Sequence, residues 1–183
     1  MLSQVLLVVQ VVEGLRNVPA VNTWFAENGG THEGVEAAEC AEGWGLVTTR
    51  PIARGEIVVR TPRHLILTGS PGSIAQRLLT EDNAYIQSLP TDLTTPALWD
   101  DDDLLAGTHS GKSRGELLQR WWSECEGNWD EFRYAQALVM SRGYNVEDEY
   151  AVIPYVDFVN HRDVPSVHLT ADKDAMSLVA MHN

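Results

Sequence analysis

Asp157, Asn160 and His161 fall on one short stretch directly after the apolar run Ala151-Val152-Ile153-Pro154-Tyr155-Val156. Together they offer a carboxylate, an amide that both donates and accepts, and an imidazole whose role depends on its tautomer. Asp157 and His161 are spaced i, i+4, and Asp163 and His168 lie close by in sequence, so the set contains metal-ligand types. It lacks the tighter signature of paired histidines with a glutamate that marks zinc sites. Two readings of the residues alone stay open. Asn160 caps a turn while His161 makes a structural hydrogen bond, or the group ligates a metal.

A second group, Gly43-Trp44-Gly45, has two glycines flanking one residue, which lets a backbone pass close to a ligand or simply turn. Without a third glycine opening a helix it is no dinucleotide fingerprint, and the sequence carries neither a phosphate loop nor a nucleophile-elbow serine. Arg142 ends an apolar helix. A terminal arginine complements the helix dipole and by that reading alone stays solvated.

The elements around these residues follow from spacing. Val21 to Asn28 reads as a short helix closed by Gly29-Gly30, and Thr31 to Glu42 as a polar stretch. Leu46-Val47-Thr48-Thr49 and Ile57-Val58-Val59-Arg60 read as strands joined by a polar turn, and residues 70 to 95 as short helical pieces between Pro and Gly breaks. Asp100 to Asp103 suit a solvated helix start, since consecutive carboxylates cannot converge on one ion. Leu118, Trp121, Trp122 and Cys125 make one helical stripe, with Cys125 as a core thiol; Trp129, Phe132, Ala135, Leu138 and Val139 make another. The rest is β-like, with an apolar strand running into Asp157 and further strands at Ser166 to Leu169 and Met176 to Ala180.

With 44% apolar and 21% charged residues, the 183-residue chain should bury a core rather than stay disordered. Its net charge of -13 opposes a phosphate backbone, so nucleic-acid binding is not expected. Cys40 and Cys125 lack paired spacing, which argues against a disulfide framework and for a reducing compartment. The apolar run Val5 to Val12 is shorter than the about 20 residues a membrane helix needs, and no basic n-region precedes it, so a buried strand or helix is expected there.

In order along the chain, these pieces resemble a known family. Glu42-Gly43-Trp44-Gly45-Leu46-Val47 followed by Ile52-Ala53-Arg54-Gly55-Glu56 resembles the opening of a SET domain of the Rubisco large-subunit methyltransferase type, the subclass that also contains the actin-histidine methyltransferase. Tyr85-Ile86-Gln87-Ser88-Leu89-Pro90 is similar to that subclass's inserted helical region. Ala137-Leu138-Val139-Met140-Ser141-Arg142 is similar to its helix ending in Ser-Arg, and Asp157-Phe158-Val159-Asn160-His161 to its most specific signature.

The resemblance implies an α+β fold of small twisted SET-type sheets. It implies an N-terminal extension over 1–19 and a SET domain over 20–183, with a helical insertion at about 68–142. It also implies S-adenosyl-L-methionine as cofactor, bound by Glu42, Gly43, Trp44, Asn160, His161 and Arg142, with Arg142 and Asp157 toward the substrate and no metal. The chemistry implied is direct methyl transfer to a protein lysine, or less readily a histidine. A lysine must first lose its proton, at about 4 kcal/mol near neutral pH, and a dry channel lowers that cost. Transfer is then largely alignment, with the nitrogen about 3 Å from the methyl carbon.

The family's catalytic tyrosine belongs to a segment after the Asn-His strand, and the sequence ends at Asn183 before it, so no catalytic residue is assigned and an incomplete C-terminus is expected. The expected partner is a protein presenting a lysine or histidine, with no nucleic acid and no membrane, to a monomer in the cytoplasm or nucleus, the plastid being left open. Two alternatives accompany this reading: a catalytically dead SET-derived interaction module, and a small metal hydrolase using Asp157 and His161.

Overall fold

The computed structural model describes residues 17–40, 43–93, 95, 98, 109–123, 125–146, 149–160 and 164–182. The Val5 to Val12 run, the Asp100 to Asp103 segment, Glu42 and His161 therefore lie outside the described residues. The chain divides into two compact units, one drawn from residues 1–66, 83–91 and 153–183, the other from 67–82 and 92–152. Small antiparallel sheets and helices make both, an α+β fold.

The first unit begins with helix α1 (Val18–Glu27), which has proline in its first turn and buries Val18, Val21 and Phe25. Gly30 closes it by donating to Phe25 O at 2.8 Å. A sheet of order β1-β4-β9-β8 follows, from β1 (Thr31–His32), β4 (Ile57–Pro62), β8 (Val167–Ala171) and β9 (Ala175–Ala180). A register shift between Ile57 and Val59 bends β4 against β9. β2 (Val35–Cys40) and β3 (Gly43–Thr48) pair separately, with Ala38 opposite Gly45 and Glu39 opposite Trp44. Where a polar stretch was expected, residues 31–40 instead hold the strands β1 and β2. Val35 and Ala37 turn inward and are buried while their neighbours alternate outward, a period-two pattern that small alanines and glutamates disguise. The short helix α3 (Ala84–Ser88) packs against α1. Its start is capped by Asn83 Oδ1, which accepts from Ile86 N–H at 3.0 Å.

The second unit pairs β5 (Leu67–Gly69) and β6 (Gly143–Val146) with β7 (Glu149–Val152) in the order β5-β7-β6. Helix α2 (Pro71–Thr80) starts at Ser70, whose hydroxyl oxygen accepts from Ser73 N–H at 3.1 Å. α2 packs on α5 (Trp129–Arg142), which Asn128 caps by accepting from the N–H groups of Asp130 and Glu131 at 2.8 and 3.2 Å. Phe132, Ala135, Leu138 and Val139 of the expected stripe are buried, while Trp129 sits at its rim, 36% exposed. Burying Phe132 alone is worth about 2–3 kcal/mol.

The first stripe needs a correction. Helix α4 (His109–Trp122) stops before Cys125, and Gly127 at φ 121 precedes the Asn128 cap of the next helix. Cys125 is half-buried beyond the helix end, its thiol toward the carbonyls of Trp121 and Gly72 at 3.3 and 3.5 Å. Among the described residues, no helix is long and apolar enough to cross a membrane, and no cluster of His, Cys, Asp or Glu is arranged to hold a metal.

Candidate functional site

The approach to Asp157 is not the strand that its apolar sequence suggests. β7 ends at Val152, and Pro154, which has no N–H to give a ladder, is followed by Tyr155 at φ 73 and ψ -36. The chain then winds into a 3-10 turn over Val156–Phe158. A buried aromatic residue with positive φ is costly, about 1–3 kcal/mol, and persists only where its surroundings over-determine it. Here they do. The Tyr155 ring packs on both Phe25 and His32, at centroid distances of 4.7 and 4.6 Å, and those two rings meet each other at 6.5 Å, so the three form one cluster. Its hydroxyl donates to Asn22 Oδ1 at 2.9 Å. Burial, with Glu36 adding a smaller repulsion, pushes this phenol far above its ordinary range, so it stays protonated.

Three further tethers hold the turn. The Thr61 hydroxyl on β4 donates to Pro154 O at 2.9 Å in a buried contact. The Tyr85 hydroxyl on α3 donates to Asp157 Oδ2 at 2.8 Å. Asn160 Nδ2 donates to Trp44 O on β3 at 3.1 Å. That last bond fixes the amide orientation, because the reversed amide would set two acceptors face to face.

Gly45 makes the approach of Asn160 to β3 feasible. A Cβ there would lie 2.2 Å from Asn160 Nδ2, closer than real contacts allow. Asn160 is 8% exposed, and its Oδ1 is buried with no hydrogen-bond partner among the described residues. An unpaired buried acceptor costs about 1–3 kcal/mol. Such a group suits a ligand donor such as an amine or a purine amino group.

Of the residues the resemblance singles out, Trp44, Asp157 and Asn160 are brought together in the first unit, and Gly43 pairs across the hairpin with Cys40. Glu42 and His161 lie outside the described residues. Arg142 belongs to the second unit, at the end of α5, and is buried at 6% exposure. Read alone as a helix-terminal arginine it was expected in solvent; folding draws it inside instead. Sequence reasoning passed over Gly45, although the Gly-x-Gly spacing carried it. It had no local signal for Asn22, Thr61 and Tyr85, which reach the turn from far along the chain.

The family profile described as SET domain matches residues 43–183. Among curated relatives, the actin-histidine N-methyltransferase of Gallus gallus is 24% identical over 216 residues, covering 82% of this chain and 35% of that protein. The chain thus spans about a third of the length of the curated relatives it matches. Among solved structures, the SET domain of LSMT bound to methyllysine and AdoHcy superposes with a TM-score of 0.71 at 20% identity, covering 90% of this chain and 50% of that one. Rubisco LSMT bound to AdoMet gives 0.65 at 18% identity, over 90% of this chain and 51% of that one. With the profile spanning most of its length, and the fold agreeing, the chain belongs to the SET domain family.

Proposed function

We propose that the chain forms the cofactor-binding part of a protein N-methyltransferase that uses S-adenosyl-L-methionine. The observation that carries this reading is the buried Oδ1 of Asn160, which has no hydrogen-bond partner among the described residues, beside the close-packed Gly45. It is an acceptor closed off from solvent, which a ligand donor meets only when the side chains covering it give way. An amino group of the cofactor fits that need. When bound, S-adenosylmethionine supplies an electrophilic methyl group on a sulfonium for in-line transfer to a nitrogen. The protein's part is to bind and orient. Asn160 accepts, Trp44 fixes the amide, and Glu42, Gly43 and His161 are assigned to the same pocket by the family pattern. Arg142 and Asp157 are assigned toward cofactor carboxylate or substrate, Arg142 by charge-assisted pairing.

The acceptor we propose is a protein lysine, in keeping with the lysine and methyllysine named with the structural neighbours. Histidine is the second reading, favoured by the curated relatives, which are named for actin histidine. A net charge of -13 supports a basic protein segment rather than nucleic acid as partner. We place the helical insertion at about 68–142 and the enzyme inside the cell as a monomer.

Incubation with methyl-labelled S-adenosylmethionine and peptide pools differing only in lysine or histidine tests the reading. Label on lysine supports it, and label on histidine moves it to the second acceptor. Cofactor binding with no label on either pool, alongside partner capture unaffected by Asn160→Ala, supports the interaction module instead.

A further inference from the structure

Tyr85 is distant in sequence from every residue of the Asn160 site, yet its hydroxyl lies 2.8 Å from Asp157 Oδ2. Both groups are buried, at 1% and 5% exposure. The ring is fixed from two sides, stacked on Trp24 at 6.1 Å and 19° and tilted against Phe158 at 6.4 Å and 32°. Its backbone is fixed as well, because the Ser88 hydroxyl donates to Tyr85 O at 2.6 Å and Asn83 caps the helix. These contacts set where the phenol oxygen sits.

Asp157 in turn lies inside the 3-10 turn that leads to Asn160. Its own N–H donates to Ile153 O at 3.0 Å, and Val159 N–H to Val156 O at 3.1 Å, so backbone hydrogen bonds join Asp157 to both sides of the turn. Thr61 pins the turn's entrance and Trp44 receives its exit, while inside the turn's helical part the Asp157 carboxyl accepts from Tyr85 and Phe158 packs against the Tyr85 ring. At 2.8 Å the bond from the phenol to the carboxyl oxygen has the usual length of a good O–H···O hydrogen bond.

We propose that Tyr85 is a positioning residue for the cofactor site: its hydroxyl, through Asp157, sets the rotation of the 156–158 turn and thereby aims Asn160. The inference rests on the reading of Asn160 as a cofactor contact, but it can be tested apart from it. In the ligand-free protein, Tyr85→Phe, which keeps the ring, shifts the Asn160 side-chain amide resonances. Replacement of Tyr85 by 4-aminophenylalanine, which restores a donor at the same point, returns them toward the wild-type positions. In titrations with S-adenosylmethionine, Tyr85→Phe weakens binding about tenfold, the scale of one buried hydrogen bond, and 4-aminophenylalanine recovers most of it.

Unmoved Asn160 resonances in folded Tyr85→Phe overturn the proposal. If the wild type binds no S-adenosylmethionine while those resonances still shift and recover, the cofactor reading fails and the positioning role stands. Should Tyr85→Phe not fold, Asp157→Asn, which keeps an acceptor, is compared with Asp157→Leu, which does not. Equal Asn160 shifts in that pair overturn the proposal, and a much larger shift in Asp157→Leu supports it.

Discussion

A side chain at position 45 and Asn160 cannot share the same space: a Cβ on Gly45 would sit 2.2 Å from the asparagine amide nitrogen that donates to the neighbouring Trp44 carbonyl. The hairpin can carry Asn160 at this distance only while position 45 has no side chain. Gly45→Ala is therefore expected to push the asparagine off β3, destabilising the fold by about 1–3 kcal/mol as overpacking does. Urea unfolding measures the loss. Simultaneous loss of cofactor affinity separates it from a remote packing defect.

Thr61→Val keeps the shape of the side chain and removes the buried donor to Pro154 O. The carbonyl is then left without its threonine partner, at about 1–3 kcal/mol. Equilibrium denaturation should show this loss, and an unchanged midpoint would mean that water replaces the hydroxyl.

Tyr155 makes two separable contributions. Tyr155→Phe keeps the stack on Phe25 and His32 and removes only the bond to Asn22, so about 1 kcal/mol is expected to go. Tyr155→Ala also empties a fully buried ring site, raising the loss to about 3–5 kcal/mol. Similar midpoints for the two variants would contradict the stack as the main anchor.

Much of this was legible in the sequence, and the rest was hidden for physical reasons. The helical stripe of Phe132, Ala135, Leu138 and Val139 and the strands around Val59 and Leu178 follow from periodicity, because burial imposes period on sequence. The ordered motifs around Gly43 and Asn160 carried the family. The hairpin strand over Val35–Cys40 was masked by weak strand formers, and no spacing in the stripe of Leu118, Trp121, Trp122 and Cys125 marks the end of α4 at Trp122. The tethers from Asn22, Thr61 and Tyr85 were out of reach, since hydrogen bonds spanning 133, 93 and 72 positions leave no local spacing to read.

The β8-β9 turn predicts an acid sensitivity. Arg60 Nη1 lies 2.8 Å from Asp172 Oδ2, and the N–H groups of Asp174 and Ala175 donate to Oδ1, also at 2.8 Å. The guanidinium first, and the two amides after it, hold this carboxyl well below its ordinary range. A folded-state value below the unfolded one means the unfolded chain binds the proton more readily. The stabilisation is then complete above about pH 4, the ordinary aspartate range, and is lost as pH falls through the lower folded value. Asp172→Asn should lower the thermal midpoint slightly near neutral pH, and the gap to the wild type should close in strong acid. A gap that persists there would assign the effect to lost shape rather than charge.

The most direct test of the account is a calorimetric titration of the purified chain with S-adenosylmethionine, run in parallel on Asn160→Ala. The account predicts one-to-one binding by the wild type and at least about tenfold weaker binding by the variant, equivalent to about 1.4 kcal/mol, with the variant still folded. No heat from a folded wild-type chain, or equal affinities for the two proteins, would contradict the assignment of Asn160 to the cofactor.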